Sequence, residues 1–223
     1  MKQTNTLLIL ACGFALAWAL PAGAASCDKA CLEEIATQYR TAYRMRDPSL
    51  APFAKKVRFS ENNVEMAFPD GSWDTVSREV GDALVLSDPT TGQVGIFTQV
   101  MQNDVQTYVG ARLRVKDRKI TEVEHILSTR RNLSSPPTPI GDIFKTVRDP
   151  DFTRTVSPAS RATRDQLKAH ADGYFSTLQY NNGEIRGTRF TPVATRVENG
   201  LLFAEIEKGF RSGRYRFNNR VRD

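Results

Sequence analysis

Histidine is almost missing from this chain: His125 and His170 are the only two in 223 residues, and cysteine occurs three times. A zinc centre gathers about four nitrogen or sulfur ligands in one place, so these counts speak against a metal site, and none is expected. Cys12 falls in the N-terminal segment, which leaves Cys27 and Cys31. Their C-x-x-x-C spacing is not the C-x-x-C of thioredoxin-like chemistry, and in an oxidising compartment it is most simply a local disulfide at the start of a helix. The chain also lacks a Ser-His-Asp triad, a phosphate-binding loop and a dinucleotide fingerprint, so no cofactor is expected. No apolar run is long enough to span a bilayer, since Leu7 to Leu20 gives about 14 residues where ~20 are needed.

What the N-terminus does hold is a positive Lys2, that apolar run, and a small-residue site at Pro21-Ala22-Gly23-Ala24. This is the pattern of a signal peptide over residues 1–24, and it points to a secreted or periplasmic protein with no membrane attachment after removal. The formal charge is +6 overall, and loss of residues 1–24, which contain Lys2 and no acid, leaves +5. The cations are scattered apart from a cluster between Lys208 and Arg222. Export and dispersed charge together exclude nucleic acid as a partner.

After Asp28, apolar residues at Leu32, Ile35, Ala36, Tyr39 and Tyr43 lie on one helical face, and Asp47-Pro48 ends that helix. Short β-rich runs follow at 57–59, 64–68, 83–86, 94–101, 107–115 and 120–127, with "QNDVQ" and "KDRK" as hairpin turns and "PDGSW" as a further turn. One helix against a curved, mostly antiparallel sheet is an α+β arrangement. The proline-rich "SSPPTP" at 134–139 breaks the pattern. A second helix then starts at Thr163 with capping-box spacing to Gln166 and carries Leu167, Ala171, Tyr174, Phe175 and Leu178. Setting Tyr174 on Tyr39 aligns the two helices without a gap. The Glu-Asn pairs of "VRFSENN" and "TRVENG" then lie 22 and 24 residues downstream. A duplication is the expectation. The second unit ends 24 residues after its Glu-Asn pair, and is read as incomplete.

The helix exit "YRMRDPSLAPF", the strand "VRFSENN", the "DGSW" turn and the hairpin "GARLRVKDRKITEVEHI" together resemble the nuclear transport factor 2-like, or SnoaL-like, superfamily. More closely, "C-x-x-x-C-L" and "RVENG" resemble an uncharacterised family of exported tandem-repeat proteins of bacteria and fungi. The resemblance implies tandem cone-shaped α+β folds, each a long helix packed in a strongly curved sheet around a pocket. The expected organisation is a first such domain at 25–131, a linker at 132–162 and a second, truncated domain at 163–223. Because the superfamily includes enzymes and pure binding modules, fold leaves function open.

Acid–base chemistry in such a cone needs a base tuned by burial beside a donor for developing negative charge. His125 is the leading base, since period two places it with Val123 and Leu127 on the apolar face. Tyr39 is a second catalytic candidate, and Glu61 a third if it is buried and kept ionised by Arg58, as Arg196 would keep Glu198. In the alternative, both glutamates sit at strand-turn corners and pair with a neighbouring cation. Tyr43, Arg58, Trp73 and Arg112 are candidate ligand contacts, with Arg114 sharing the strand face of Arg112. Three functions stay open: a cofactor-independent lyase or isomerase acting on a small hydrophobic or aromatic molecule, a non-catalytic binder of such a molecule, and a structural or interaction protein. The last would be a homodimer or an intramolecular pair of cones.

Overall fold

A computed structural model describes residues 27–129, 140–146, 152 and 154–213. The segment read as a signal peptide, the "SSPPTP" stretch and the residues after 213 lie outside the described residues.

Helix α1 (Lys29–Met45) begins where expected, with the Asp28 carboxylate accepting from Cys31 N–H at 2.9 Å. The Cys27–Cys31 disulfide closes its first turn. Arg46 in the left-handed region stops it, and Asp47 caps a short 3-10 turn at Pro48–Leu50. Residues three and four apart meet on one face, which is why Leu32, Ile35, Ala36, Tyr39, Ala42 and Tyr43 are all buried.

That face lies on a six-stranded sheet ordered β2-β1-β6-β5-β4-β3, built from β1 (Phe53–Glu61), β2 (Val64–Met66), β3 (Val76–Asp88), β4 (Gln93–Gln102), β5 (Val105–Lys116) and β6 (Lys119–Thr129). Only β1 and β6 run parallel. Irregularities in register at Phe53/Arg58, Val76/Arg78, Val80/Leu84 and Arg114/Val115 bend the strands, because each extra residue kinks the bulged strand and adds twist. The sheet therefore curves around α1. Both central residues of its tight corners have positive φ, Asn62-Asn63 between β1 and β2 and Asp117-Arg118 between β5 and β6, as such connections require; Asn and Asp adopt it readily, and Arg118 is held there by the hairpin. Alternation puts Thr107, Val109, Ala111, Leu113 and Val115 of β5, with Val123 and His125 of β6, on the inner face. A four-residue helix, α2 (Ser72–Thr75), follows the cis Phe68–Pro69 bond and inserts Trp73 between α1 and the sheet.

Apart from β2, which stops at Met66, the strands are longer than the sequence pattern indicates, most of all β3. At the sheet edge, its exposed and half-buried residues do not alternate cleanly, so period two marks only its centre.

In the second half, α3 (Arg164–Tyr180) carries the expected capping box between Thr163 and Gln166. The hairpin of β7 (Arg196–Glu198) and β8 (Leu201–Phe203) turns at Asn199-Gly200, so its Glu-Asn pair occupies the same corner as Glu61-Asn62. A short α4 (Ile206–Arg211) completes a cluster of Ile206 and Phe210 with Tyr174, Leu178, Phe190 and Phe203. The equivalence of the two helices is not carried into packing. Leu32 is fully buried, whereas Leu167 is 60 % exposed and Phe175 47 % exposed. The reason is local: α3 packs through Gly173 and Thr177 against the backbone of Arg186-Gly187, and two three-residue strands offer no inner face to cover the rest. Tandem copies of one cone are therefore not established.

The halves touch on the outer side of the sheet. Arg164 grips both carboxylate oxygens of Asp88 at 3.0 and 2.6 Å, and Gly141 N–H donates to Asn199 C=O at 2.7 Å. Towards the other end of the sheet, Ile143 is buried, its N–H donating to Gln106 at 3.2 Å.

Candidate functional site

The interior between α1 and the sheet is filled with rings and crossed by one line of polar atoms. Tyr39 and Tyr43, one helical turn apart, stack with centroids 6.3 Å apart and planes 7° from parallel. Trp73 meets both edge-on, at 5.7 and 5.2 Å, and Phe53 and Phe68 close the side. His125 reaches into this box from β6, 5.0 Å from the Tyr43 ring and 5.5 Å from Phe59.

Both ring nitrogens of His125, which is fully buried, have partners. Nε2 lies 2.5 Å from the Tyr39 hydroxyl, and Nδ1 lies 3.1 Å from Ser72 Oγ and 3.7 Å from Glu61 Oε2. The Ser72 and Tyr39 hydroxyls can each donate or accept, so both neutral tautomers of His125 satisfy them; the one protonated at Nδ1 also turns its N–H dipole towards the Glu61 carboxylate and lets Nε2 accept from Tyr39 O–H. Ser72 N–H donates to Glu61 Oε2 at 3.0 Å. Charge follows from burial. Desolvation lowers the His125 pKa against the pull of Glu61, and raises that of Tyr39 well above 10. Burial pulls Glu61 up as well, but the hydrogen bonds from His125 and Ser72 outweigh it and leave its pKa lowered. At neutral pH the line is an ionised glutamate, a neutral imidazole and a neutral phenol.

The backbone explains why Glu61 and Asn62 stand together. Glu61 pairs in register with His125 across the parallel β1–β6 seam. Asn62 then takes both sides of β6: its N–H donates to His125 C=O and its Oδ1 accepts from Leu127 N–H, each at 2.8 Å. The corner is a turn, as its composition says, and it also aims a carboxylate inward. Gly71 makes room for that carboxylate, since a Cβ there would stand 2.9 Å from Glu61 Oε1, at a φ of +61°.

Three further polar atoms in the same box are buried without a hydrogen-bond partner: the Tyr43 hydroxyl, Trp73 Nε1 and Gln102 Nε2. Tyr43, its pKa pushed up to about 12 by burial, has Ser72 and Gln102 as its nearest polar neighbours, and the Trp73 indole is near the Tyr39 hydroxyl.

The structure brings together His125, Tyr39, Glu61, Tyr43 and Trp73. It does not bring Arg58 or Arg112 to them. Arg58 is exposed and pairs with Glu65 at 3.1 Å across the β1–β2 hairpin, so it is not the cation that keeps Glu61 ionised. Arg112 lies on the outer sheet face with Glu124 at 2.8 Å and Glu122 at 3.1 Å, and Arg114 shares Glu122. Both follow from parity: in β5 the inner residues are odd-numbered, from Thr107 to Val115. Arg196 does lie beside Glu198, at 3.2 Å, and also reaches the Tyr174 hydroxyl and the Phe203 ring. Trp73 is 2 % exposed, a core residue rather than a lid. Ser72 and Gln102 were missed. Gln102 shares the parity of Val94, Ile96 and Val100, a signal available in the sequence, whereas nothing in "DGSW" marks Ser72.

Among the described residues no group of three or more His, Cys, Asp and Glu side chains is placed to hold a metal, and no helix is long and apolar enough to cross a membrane.

Residues 160–223 match a domain of unknown function, DUF8021. No curated protein matches the chain. Among solved structures, similarity is found to AclR, a putative hydroxylase from Streptomyces galilaeus, at 15 % identity, TM-score 0.37, 46 % of this chain and 82 % of that one. It is also found to a de novo designed protein with a curved β-sheet, at 14 % identity, TM-score 0.35, 45 % of this chain and 88 % of that one.

Proposed function

We propose that the first unit, residues 25–131, is an acid–base site for a small hydrophobic or aromatic molecule, of the lyase or isomerase kind, in a protein exported to an oxidising compartment. The observation that carries it is a fully buried histidine with Tyr39 on one ring nitrogen and the Ser72–Glu61 pair at the other. The Cys27–Cys31 disulfide and the N-terminal signal pattern support export.

In this reading Tyr39 faces the substrate. Its oxygen takes a proton as its own O–H proton passes to His125 Nε2, and the resulting imidazolium is held by Glu61 through Nδ1. Tyr39 cannot ionise alone in so buried a setting, so the charge has to travel to His125. Reversal of the same steps returns the proton at another atom, which is an isomerisation, or leaves it behind as a leaving group departs, which is an elimination. The aromatic walls select a planar, largely apolar molecule that displaces part of the ring packing. Binding without turnover is the alternative use of the same box.

The test is a chromogenic base probe, 5-nitrobenzisoxazole, whose C–H deprotonation breaks its N–O bond and releases a coloured cyanophenolate. Tyr39→Phe and His125→Ala are each expected to lower turnover by about 100-fold, the usual range for one acid–base group. Equal turnover by the parent protein and both variants would overturn the acid–base reading, and binding without turnover by the parent would leave a binding module.

A further inference from the structure

The cations look scattered along the chain, yet the fold gathers five of them at one corner of the sheet. In the parallel β1–β6 seam, β1 takes five steps from Phe53 to Arg58 while β6 takes two, from Ile120 to Glu122. The surplus residues stand out from the strand and carry Lys55 and Lys56, both exposed, to the start of β6. There the β5–β6 hairpin adds Lys116, Arg118 and Lys119, also exposed, and Ile120 N–H donates to Pro52 C=O at 2.8 Å, which ties the two segments together.

Neighbouring cations are answered, Arg58 by Glu65 and Arg114 by Glu122. These five have no ion pair among the described residues, and Asp117 is the single acid in the segments 53–58 and 114–120. Two features of the hairpin also cost stability. Lys116 and Lys119 stand directly opposite each other, and like charges so placed repel. Arg118 occupies the left-handed region at a φ of +58°, where such a hairpin ordinarily takes Asn or Gly. Positive charge kept at these positions asks for something to neutralise it.

The chemistry of the partner follows from what the corner holds and what it lacks. Four of the five are lysines, compact point charges on flexible stems without the planar fork that grips one carboxylate or phosphate, so they suit charge repeated along a chain. Neither segment exposes a large apolar side chain that could enter a bilayer, or an aromatic ring on which a base could stack.

We infer that Lys55, Lys56, Lys116, Arg118 and Lys119 form a docking surface for a linear acidic polysaccharide. This rests on the export reading above, which puts such polymers within reach, and not on the acid–base site.

The test is binding to fluorescein-labelled polygalacturonate, with dextran as the neutral control, at ~20 and ~150 mM salt. Expected is binding to polygalacturonate and not to dextran, weakened at the higher salt as counterions return. Each of Lys55→Gln, Lys56→Gln, Lys116→Gln and Lys119→Gln should weaken it about fivefold, the scale of one cation near an anionic surface. Lys145→Gln, in the turn that meets Gln106 at the far end of β5, should leave it unchanged. Lys116→Gln should melt no lower than the parent, because it relieves the repulsion from Lys119. Equal weakening by Lys145→Gln would reduce the effect to net charge and overturn the surface. Tighter binding to an oligothymidylate or to phosphatidylglycerol vesicles would overturn the polysaccharide as partner, and failure of polygalacturonate to bind at low salt would overturn the inference outright. A lower melting temperature for Lys116→Gln would show that the lysine is already neutralised within the protein, and would overturn it as well. Export is read separately, from the N-terminal sequence of the protein recovered outside the cytosol, so that its failure cannot be mistaken for a loss of binding.

Discussion

Removing the Tyr39 hydroxyl tests whether Tyr39 and His125 act as one unit. In Tyr39→Phe the ring packing against Tyr43, Trp73 and Phe53 survives, but His125 Nε2, 2.5 Å from the lost oxygen and fully buried, keeps a lone pair with no donor. An unsatisfied buried group costs about 1–3 kcal/mol. His125→Leu leaves the complementary orphan, the Tyr39 O–H, and strips Ser72 Oγ of its partner, for a loss of similar size. The double variant orphans neither atom of the contact, so its loss should fall short of the sum by about 1–2 kcal/mol, within the range found for residues in one hydrogen-bonded network. Urea unfolding at pH 7.5, where His125 is neutral in both states, is read by tryptophan fluorescence, Trp73 being 5.7 Å from the Tyr39 ring. With an m-value of about 2 kcal/mol/M, each single variant should lower the midpoint by roughly 0.5–1.5 M. Additivity within about 0.5 kcal/mol would mean that the contact is not an energetic pair, and the proton relay would lose its basis.

Lower pH should destabilise the first unit in a defined order. His125 titrates below its ordinary 6.5 in the folded state, so the unfolded chain binds its proton first; this contribution is full above 6.5 and is lost as pH falls from there through the lowered folded value. Glu61, also lowered, adds a second loss below its ordinary 4.5, and His125→Leu should abolish the first phase in a plot of unfolding midpoint against pH. Gly71→Ala should cost at least about 1 kcal/mol, since the added methyl meets Glu61 at 2.9 Å at a φ of +61°, and it should cut turnover of the base probe by displacing the carboxylate. Gly200→Ala should leave turnover unchanged but increase amide exchange around β7–β8, because its Cβ would collide with the Tyr108 hydroxyl where the second half meets the sheet.

Much of the site is legible in the sequence. Period two put His125 on the inner face with Val123, and 3.6-residue spacing put Tyr39 and Tyr43 on the buried stripe of α1. That these elements meet at Glu61 was not readable, because the β1–β6 pairing is parallel and joins residues 64 apart, a register no local pattern carries. Arg112 was misplaced by its chemistry: an arginine that could bind a carboxylate looked like a ligand contact, although its even parity beside Leu113 already sent it outwards to Glu122 and Glu124. Leu167 and Phe175 show the reverse failure. Their spacing is that of a buried stripe, yet burial needs an opposing surface, and the strands that would supply one are not among the described residues.

The proton relay depends on which nitrogen of His125 carries the proton. Nitrogen NMR of the labelled side chain at neutral pH measures this directly. The expected result is a neutral ring protonated at Nδ1, with Nε2 accepting from Tyr39 and its signal moving in Tyr39→Phe. A ring protonated at Nε2, which would make Tyr39 the acceptor and leave no base facing the box, would contradict it.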